Sequence, residues 1–338
     1  MKSRERVIRA IEMTGPDRVP ITHATLLGAE IKYGDALKAL YRCFPSDVCH
    51  VGSATSGELG DEIGAPSRDT WGSIWVRYSN EHKGQIVECP LAGWDALEFF
   101  VPPDTASDEI IAQVETNIAA AGDLYTLADG DTLWQRMFYL HGYQATLEDL
   151  LMQPERCAAL RDMILAVMRR RIVRLCQIPN LDGIHLRDDW GTQQTLMISP
   201  TLWRSFFKPA YEELFALIRD AGKHVWFHSD GAIESIIPDL EEIGVQVLNP
   251  QVDLIGRERL ASMCAGRVCI QADLDRQQLL PYGSPEQVRT AVRADIDAFG
   301  RLGGGYIARA EVAGDVPLEN VLAALDESVR YGTYGAFD

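Results

Sequence analysis

The sequence predicts a (β/α)₈ barrel, on three observations. Eight short β-rich apolar runs recur along the 338 residues, amphipathic helical patterns separate the later ones, and 46% of the residues are hydrophobic. That fraction is ample for a large core. Helix–strand alternation implies parallel strands joined by helical crossovers, and about eight such units close into a barrel. Length alone would allow two domains, but α/β barrels of this size are commonly single, so residues 1–338 are read as one.

The expected strands are 18–22, 47–51, 124–127, 183–186, 224–227, 245–248, 267–270 and 305–308. Amphipathic helices are expected over 154–177, 200–221, 232–243 and 285–302. The last opens with Ser284-Pro285-Glu286, a helix-start signal with proline at the first position. Gly303-Gly304-Gly305 precedes a strand, so it reads as a tight turn after a helix and lacks the helix dipole of an anion site. Residues 52–110 break the rhythm. They are rich in Gly, Ser and Trp (Trp71, Trp75, Trp94), and 86–90 resembles a hairpin arm. We read this segment as an insertion near the barrel mouth.

The formal net charge is −17, which argues against a nucleic-acid backbone or an anionic membrane as partner. The first residues lack the apolar core of a signal peptide, and no apolar run approaches membrane-spanning length. The seven cysteines are scattered without a C-x-x-C pair, so they read as reduced thiols, mostly core-filling, in a cytoplasmic protein. Dinucleotide, P-loop, zincin and serine-hydrolase motifs do not occur.

A barrel places chemistry where its strands end. The polar residues at those positions are His23, His50, Asp129, Asp131, Arg187, Asp188, Asp189, His228, Asp230, Asn249, Gln251, Gln271, Asp273, Asp275, Arg309 and Glu311. Loops are polar in any protein, so the argument rests on groups of residues. In His228-Ser229-Asp230-Gly231 the histidine and aspartate lie two apart at a strand end and share a face. Such a pair binds a metal, moves a proton, or is a satisfied structural contact. In Asp188-Asp189-Trp190-Gly191 adjacent aspartates point to opposite sides, so only one is expected to face the mouth; the alternative is that one caps the following turn while the other is solvated. Trp190 is the tryptophan expected to meet a flat substrate. Gln251 and Asp273, on the next two strands, are placed to orient a ligand.

Several segments resemble the uroporphyrinogen decarboxylase superfamily, in particular its branch near the corrinoid-linked methyltransferases. They include 188–193, 198–203, 228–231, 236–244, 247–250, 275–277, 283–288 and 315–320, with Asp69-Thr70-Trp71-Gly72 earlier. The resemblance spans essentially the whole chain and implies the same barrel. It also implies two activities. The decarboxylases grip a polycarboxylate through an early arginine-rich segment, whereas the corresponding 21–28 has no arginine here. The methyltransferases hold zinc with a His-x-Cys pair and a late cysteine. Here those positions are His228, Asp230 and either Ala310 or Glu311.

The resemblance therefore implies a metal set of His228, Asp230 and Glu311, suited to zinc with an open site, or to manganese or iron. The expected activity is transfer of a methyl group from a small methylated substrate, with a corrinoid protein as candidate acceptor. His228, Asp230 and Asp189 are the expected catalytic residues; Trp190, Gln251, Asp273 and His23 are the expected substrate contacts. The alternatives are cofactor-free decarboxylation, with Asp230 or Asp189 stabilising a protonated intermediate, and a non-catalytic ligand-binding barrel.

Overall fold

The computed structural model describes residues 1–53, 62–80 and 84–334. Eight strands form the barrel wall: β1 (Ile21–Thr25), β2 (Val48–Gly52), β3 (Tyr125–Asp131), β4 (Gly183–Arg187), β5 (His224–Ser229), β6 (Val247–Pro250), β7 (Cys269–Asp273) and β8 (Tyr306–Val312). They pair in parallel in the order β2 to β8 and then β1. No ladder joins β1 to β2. The gap is stitched at its base by Asp47, whose N–H donates to the Ile21 carbonyl and whose carboxylate accepts the Ile21 N–H, both at 2.9 Å. Arg6 and Arg18 neutralise that buried carboxylate.

Each predicted strand is found, but most run further toward the mouth than their apolar residues indicate. β5, β6, β7 and β8 continue through Ser229, Pro250, Asp273 and Val312. The cause is the lumen itself. Low in the barrel, Val48, Tyr125, Leu127, Trp226, Val247, Cys269 and Ile307 pack together against Val7 and Ile11 of the helix Ser3–Ile11, which plugs the base. Two residues higher on each strand the same inward face carries polar groups, so an apolar criterion stops too early.

The helix Pro154–Cys176 forms as expected. The pattern over 200–221 is split into Pro200–Phe206 and Lys208–Asp220, because Pro209 cannot donate a backbone hydrogen bond. Pro238 likewise reduces 232–243 to a short 3₁₀ turn and the helix Ile237–Glu242. Pro285–Phe299 starts with a complete capping box between Ser284 and Gln287. The three glycines 303–305 form the turn that leads into β8.

Between β2 and β3 lies a small antiparallel sheet of Pro66–Arg68, Ile74–Val76 and Gln85–Glu88. Trp71 is buried beneath it, with the Arg136 guanidinium 4.8 Å from its ring centroid. The expected insertion boundary at 110 overlaps the helix Asp108–Ala121, which packs on β2 as the crossover to β3. Residues 54–61 and 81–83 of that insertion fall outside the described residues. Every cysteine is a free thiol; Cys157, Cys264 and Cys269 are buried and Cys43 is exposed. Among the described residues no helix is long and apolar enough to cross a membrane.

Candidate active site at the barrel mouth

Two glycines set the site by letting two loops touch. A Cβ on Gly231, whose φ is +85°, would stand 2.1 Å from the Gly191 carbonyl carbon; one on Gly191 would stand 2.4 Å from the Ala232 nitrogen. Only glycines permit this approach. It is secured by the Gly191 N–H donating to the Asp230 carbonyl at 3.1 Å and the Ala232 N–H to the Thr192 carbonyl at 2.8 Å. The loops after β4 and β5 are thereby fused, and Asp189 and Asp230 are held beside each other.

The adjacent aspartates separate as strand geometry requires. Asp188 is fully buried. Its carboxylate accepts the Leu133 and Gln135 N–H groups, each at 2.8 Å, and the Tyr211 hydroxyl at 2.6 Å, capping the start of the helix Trp134–His141. Burial outweighs these hydrogen bonds and pushes its carboxyl up to about 7. Asp189 faces the mouth. Its Oδ1 accepts the Asp230 N–H at 3.0 Å and its Oδ2 the Gln135 side-chain amide at 2.7 Å.

His228 occupies the centre. Its Nδ1–H donates to Asn249, whose side-chain oxygen lies at 2.7 Å and backbone carbonyl at 3.0 Å. Asn249 is oriented in turn by donating its amide to the Gln271 carbonyl at 2.7 Å and to Asp273 at 3.1 Å. Both Nδ1 contacts are acceptors, so in the neutral imidazole the proton belongs on Nδ1 and the Nε2 lone pair is left for a ligand. Nε2 looks onto Asp189 Oδ1 at 3.5 Å and Asp230 Oδ1 at 3.7 Å.

One oxygen or nitrogen from each of Asp189, His228 and Asp230 lies within 4.8 Å of the other two. Ligands about 2.0–2.2 Å from a tetrahedral zinc are spaced roughly 3.3–3.6 Å apart, so the Nε2 distances suit a shared ion. The nitrogen-and-oxygen donor set favours a borderline or hard divalent cation over a thiophilic one.

An ionic ring surrounds the triad. Arg276 donates to Asp230 Oδ2 at 2.8 Å and to Glu311 at 2.5 Å, bridging the two. Arg309 pairs with Asp273 and reaches Glu311 at 3.4 Å. Gln251 accepts the Gly231 N–H at 2.7 Å and thus braces the fused loops. On the other side Tyr139 lies near Asp189 and Arg187, and burial with the Asp189 charge pushes its phenol up to about 12. A cleft of about 460 Å³, part of it open to solvent, runs from His228 and Asp230 past Gln251 and Asp273 to Arg276.

Of the residues singled out in the sequence, His228, Asp230, Asp189, Gln251 and Asp273 converge here. Three assignments need correction. Glu311 does not join the ligand cluster, because Arg276 stands between it and Asp230; Asp189 takes the third position. Trp190 is fully buried, stacked on Trp134 at 5.0 Å and edge-on to Phe207 and Trp203, so it is core and cannot meet a substrate. His23 lies on the outer face of β1: Thr22 is paired with lumen-facing Arg309, so the next residue points away. Its ring stacks on Tyr41 at 3.9 Å and bonds the Phe44 carbonyl at 2.7 Å. Arg276, Gln135 and Tyr139 escaped the sequence reading. Arg276 follows β7 by three residues, a position the strand-end rule points to; Gln135 and Tyr139 sit on a helix and carry no such signal.

A parallel barrel with a histidine, two carboxylates and an arginine-braced ring at its C-terminal mouth is the arrangement of a barrel enzyme. Residues 132–331 match the uroporphyrinogen decarboxylase (URO-D) family, and the chain belongs to that family. Among solved structures, the chain is similar to a methyltransferase from Methanosarcina mazei at 12% identity, with a TM-score of 0.71 over 97% of this chain and 98% of that one. At that identity the likeness shows a shared fold. A glycosylated endo-β-1,4-xylanase from Gloeophyllum trabeum aligns at 11% identity and TM-score 0.43, covering 94% of this chain and 98% of its own. A β-mannanase from the blue mussel Mytilus edulis aligns at 10% identity and TM-score 0.43, covering 93% and 92%. Those two scores are too low to bear on function. No curated protein is significantly similar in sequence.

Proposed function

We propose that this barrel is a metal-assisted methyltransferase or demethylase acting on a small methylated compound. One observation carries the reading: His228, fixed through Nδ1 by Asn249, turns its free Nε2 toward Asp189 and Asp230 at ligand spacing. Asp189, His228 and Asp230 would hold the ion, replacing the His228–Asp230–Glu311 set implied by family resemblance. A divalent cation held there supplies Lewis acidity toward the heteroatom that loses its methyl group.

The chain's own residues do the rest. Arg276 offsets the charge of Asp230 and Glu311, so the mouth does not accumulate unpaired carboxylates. Gln251 and Asp273 line the cleft in which the substrate lies. The methyl carbon passes to an electron pair on the acceptor, while the pair of the broken bond stays on the substrate heteroatom. The open mouth accommodates an acceptor carried by a second protein, a corrinoid protein being the candidate that the family resemblance implies. The shared fold with a methyltransferase agrees with this reading without carrying it.

Arg276 and Arg309 favour a second reading, cofactor-free decarboxylation of a small carboxylate, since they put guanidinium groups where a carboxylate substrate could exchange for Glu311. Metal content separates the two. Metal that tracks with His228, Asp189 and Asp230 supports methyl transfer; protein that takes up none after incubation with zinc, manganese and iron leaves decarboxylation.

A further inference from the structure

Each carboxylate of the triad divides its two oxygens between different partners. Asp189 Oδ1 lies 3.5 Å from His228 Nε2, while its Oδ2 accepts the Gln135 side-chain amide at 2.7 Å. Asp230 Oδ1 lies 3.7 Å from the same nitrogen, while its Oδ2 accepts Arg276 Nη2 at 2.8 Å. In both residues one oxygen faces the histidine and the other is held by a side chain from outside the triad. Arg276 Nη1 also donates to Glu311 at 2.5 Å, which ties down a third carboxylate beside the site.

Neither donor is loosely placed. Gln135 sits in the first turn of the helix Trp134–His141, and its backbone N–H is fixed by buried Asp188 at 2.8 Å. Arg276 is clamped between two carboxylates, and its charge makes it the stronger of the two holds. A carboxylate binds a divalent cation through one oxygen or through both. With the second oxygens engaged, the triad offers one donor atom per residue. With them released, Asp189 and Asp230 could each chelate and Glu311 could join, filling the coordination shell. Three protein ligands with a position left over is the pattern of a catalytic zinc site, whereas a filled shell is that of a structural one.

Resting on the metal reading of the triad, we infer that Gln135 and Arg276 are positioning residues that restrict Asp189 and Asp230 to one oxygen each and so keep a coordination position free for the substrate. Arg276 does this twice over, by holding Asp230 Oδ2 and by keeping Glu311 away. The free position takes a lone pair. It therefore admits a methylated ether, thioether or neutral amine and not a quaternary ammonium, which has no lone pair to give.

The test is the visible spectrum of the full chain loaded with cobalt(II), with cobalt affinity measured on the same samples. Four-coordinate cobalt(II) absorbs far more strongly than five- or six-coordinate cobalt(II), so the band reports how many donors close on the ion. Wild-type protein should give the strong band. Arg276→Met and Gln135→Met should each lose about half of it or more, in protein that keeps the wild-type unfolding transition, while cobalt affinity holds or rises because an oxygen has been released to the ion. Arg276→Lys, which keeps a cationic donor beside Asp230, should retain the band. A weak band in wild-type protein, or an unchanged band in both methionine variants, overturns the proposal. So does a band that weakens together with cobalt affinity in both, since that marks lost support for the ligands and not a freed oxygen. The metal reading is judged separately, on whether wild-type protein binds cobalt in a way that His228→Ala abolishes. Without such binding that reading fails and this proposal falls with it; with such binding and no effect of either methionine variant, the metal reading stands and this proposal alone is overturned.

Discussion

Replacing Asn249 by alanine isolates the hydrogen bond that fixes the free nitrogen of His228. Asn249 is 3% exposed, and the change removes the 2.7 Å acceptor on Nδ1 and the 2.7 Å donor to the Gln271 carbonyl. Loss of a partner to a metal-bound histidine typically costs roughly 10- to 100-fold in metal affinity. The low end applies here, because the Asn249 backbone carbonyl remains 3.0 Å from Nδ1 and still holds the tautomer. Metal affinity should therefore fall about 10-fold, and stability by about 1–3 kcal/mol for the stranded carbonyl. Competition titration against a chelator and urea unfolding measure the two separately. Asn249→Asp keeps the acceptor and should hold affinity near wild type while still costing stability beside Asp273. Unchanged affinity in Asn249→Ala, in protein where His228→Ala abolishes binding, would refute the role given to this contact.

Three further outcomes follow from the geometry. Gly231→Ala forces a Cβ to 2.1 Å from Gly191, so soluble protein should drop sharply or the urea midpoint fall by the equivalent of more than about 3 kcal/mol; a near-neutral result contradicts the loop contact. Trp190→Phe should leave metal and ligand binding intact in the folded protein, whereas Trp190→Ala should cost about 3–5 kcal/mol; selective loss of ligand binding would restore Trp190 to the site. Asp295 is buried beside Arg257, and burial pushes its carboxyl up to about 6 from the ordinary 3.8. A raised folded-state value means its contribution is fully present below about 3.8 and lost as pH rises through 6, on the order of 2–3 kcal/mol. Asp295→Asn should flatten the urea stability curve between pH 4 and 6; parallel curves for the two proteins would contradict the shift.

The barrel was legible because its cause is local. Apolar runs at period two and helices at period 3.6 report where each strand and helix lies, and the capping box at Ser284 marks one helix start to the residue. The same periodicity separated Asp188 from Asp189 and put His228 and Asp230 on one face. What stayed hidden depends on neighbours distant in sequence. Trp190 follows a strand end, yet Trp134 and Phe207 cover it, and nothing within 188–191 reports them. His23 also ends a run near the mouth, but its inward or outward sense is set by register with β8. Glu311 is lost as a ligand because Arg276, 35 residues earlier, occupies the space between it and Asp230. Strand ends nominate candidates; cross-strand packing decides among them.

The central claim is that Asp189, His228 and Asp230 share a divalent cation. Elemental analysis of protein purified without chelator, alongside His228→Ala, Asp189→Asn and Asp230→Asn, tests it most directly. The account predicts about one equivalent of metal per wild-type chain, lost or severely reduced in all three variants, and retained in Glu311→Gln. Wild-type protein that stays metal-free after incubation with zinc, manganese and iron, or metal that depends on Glu311 and not on Asp189, would contradict it.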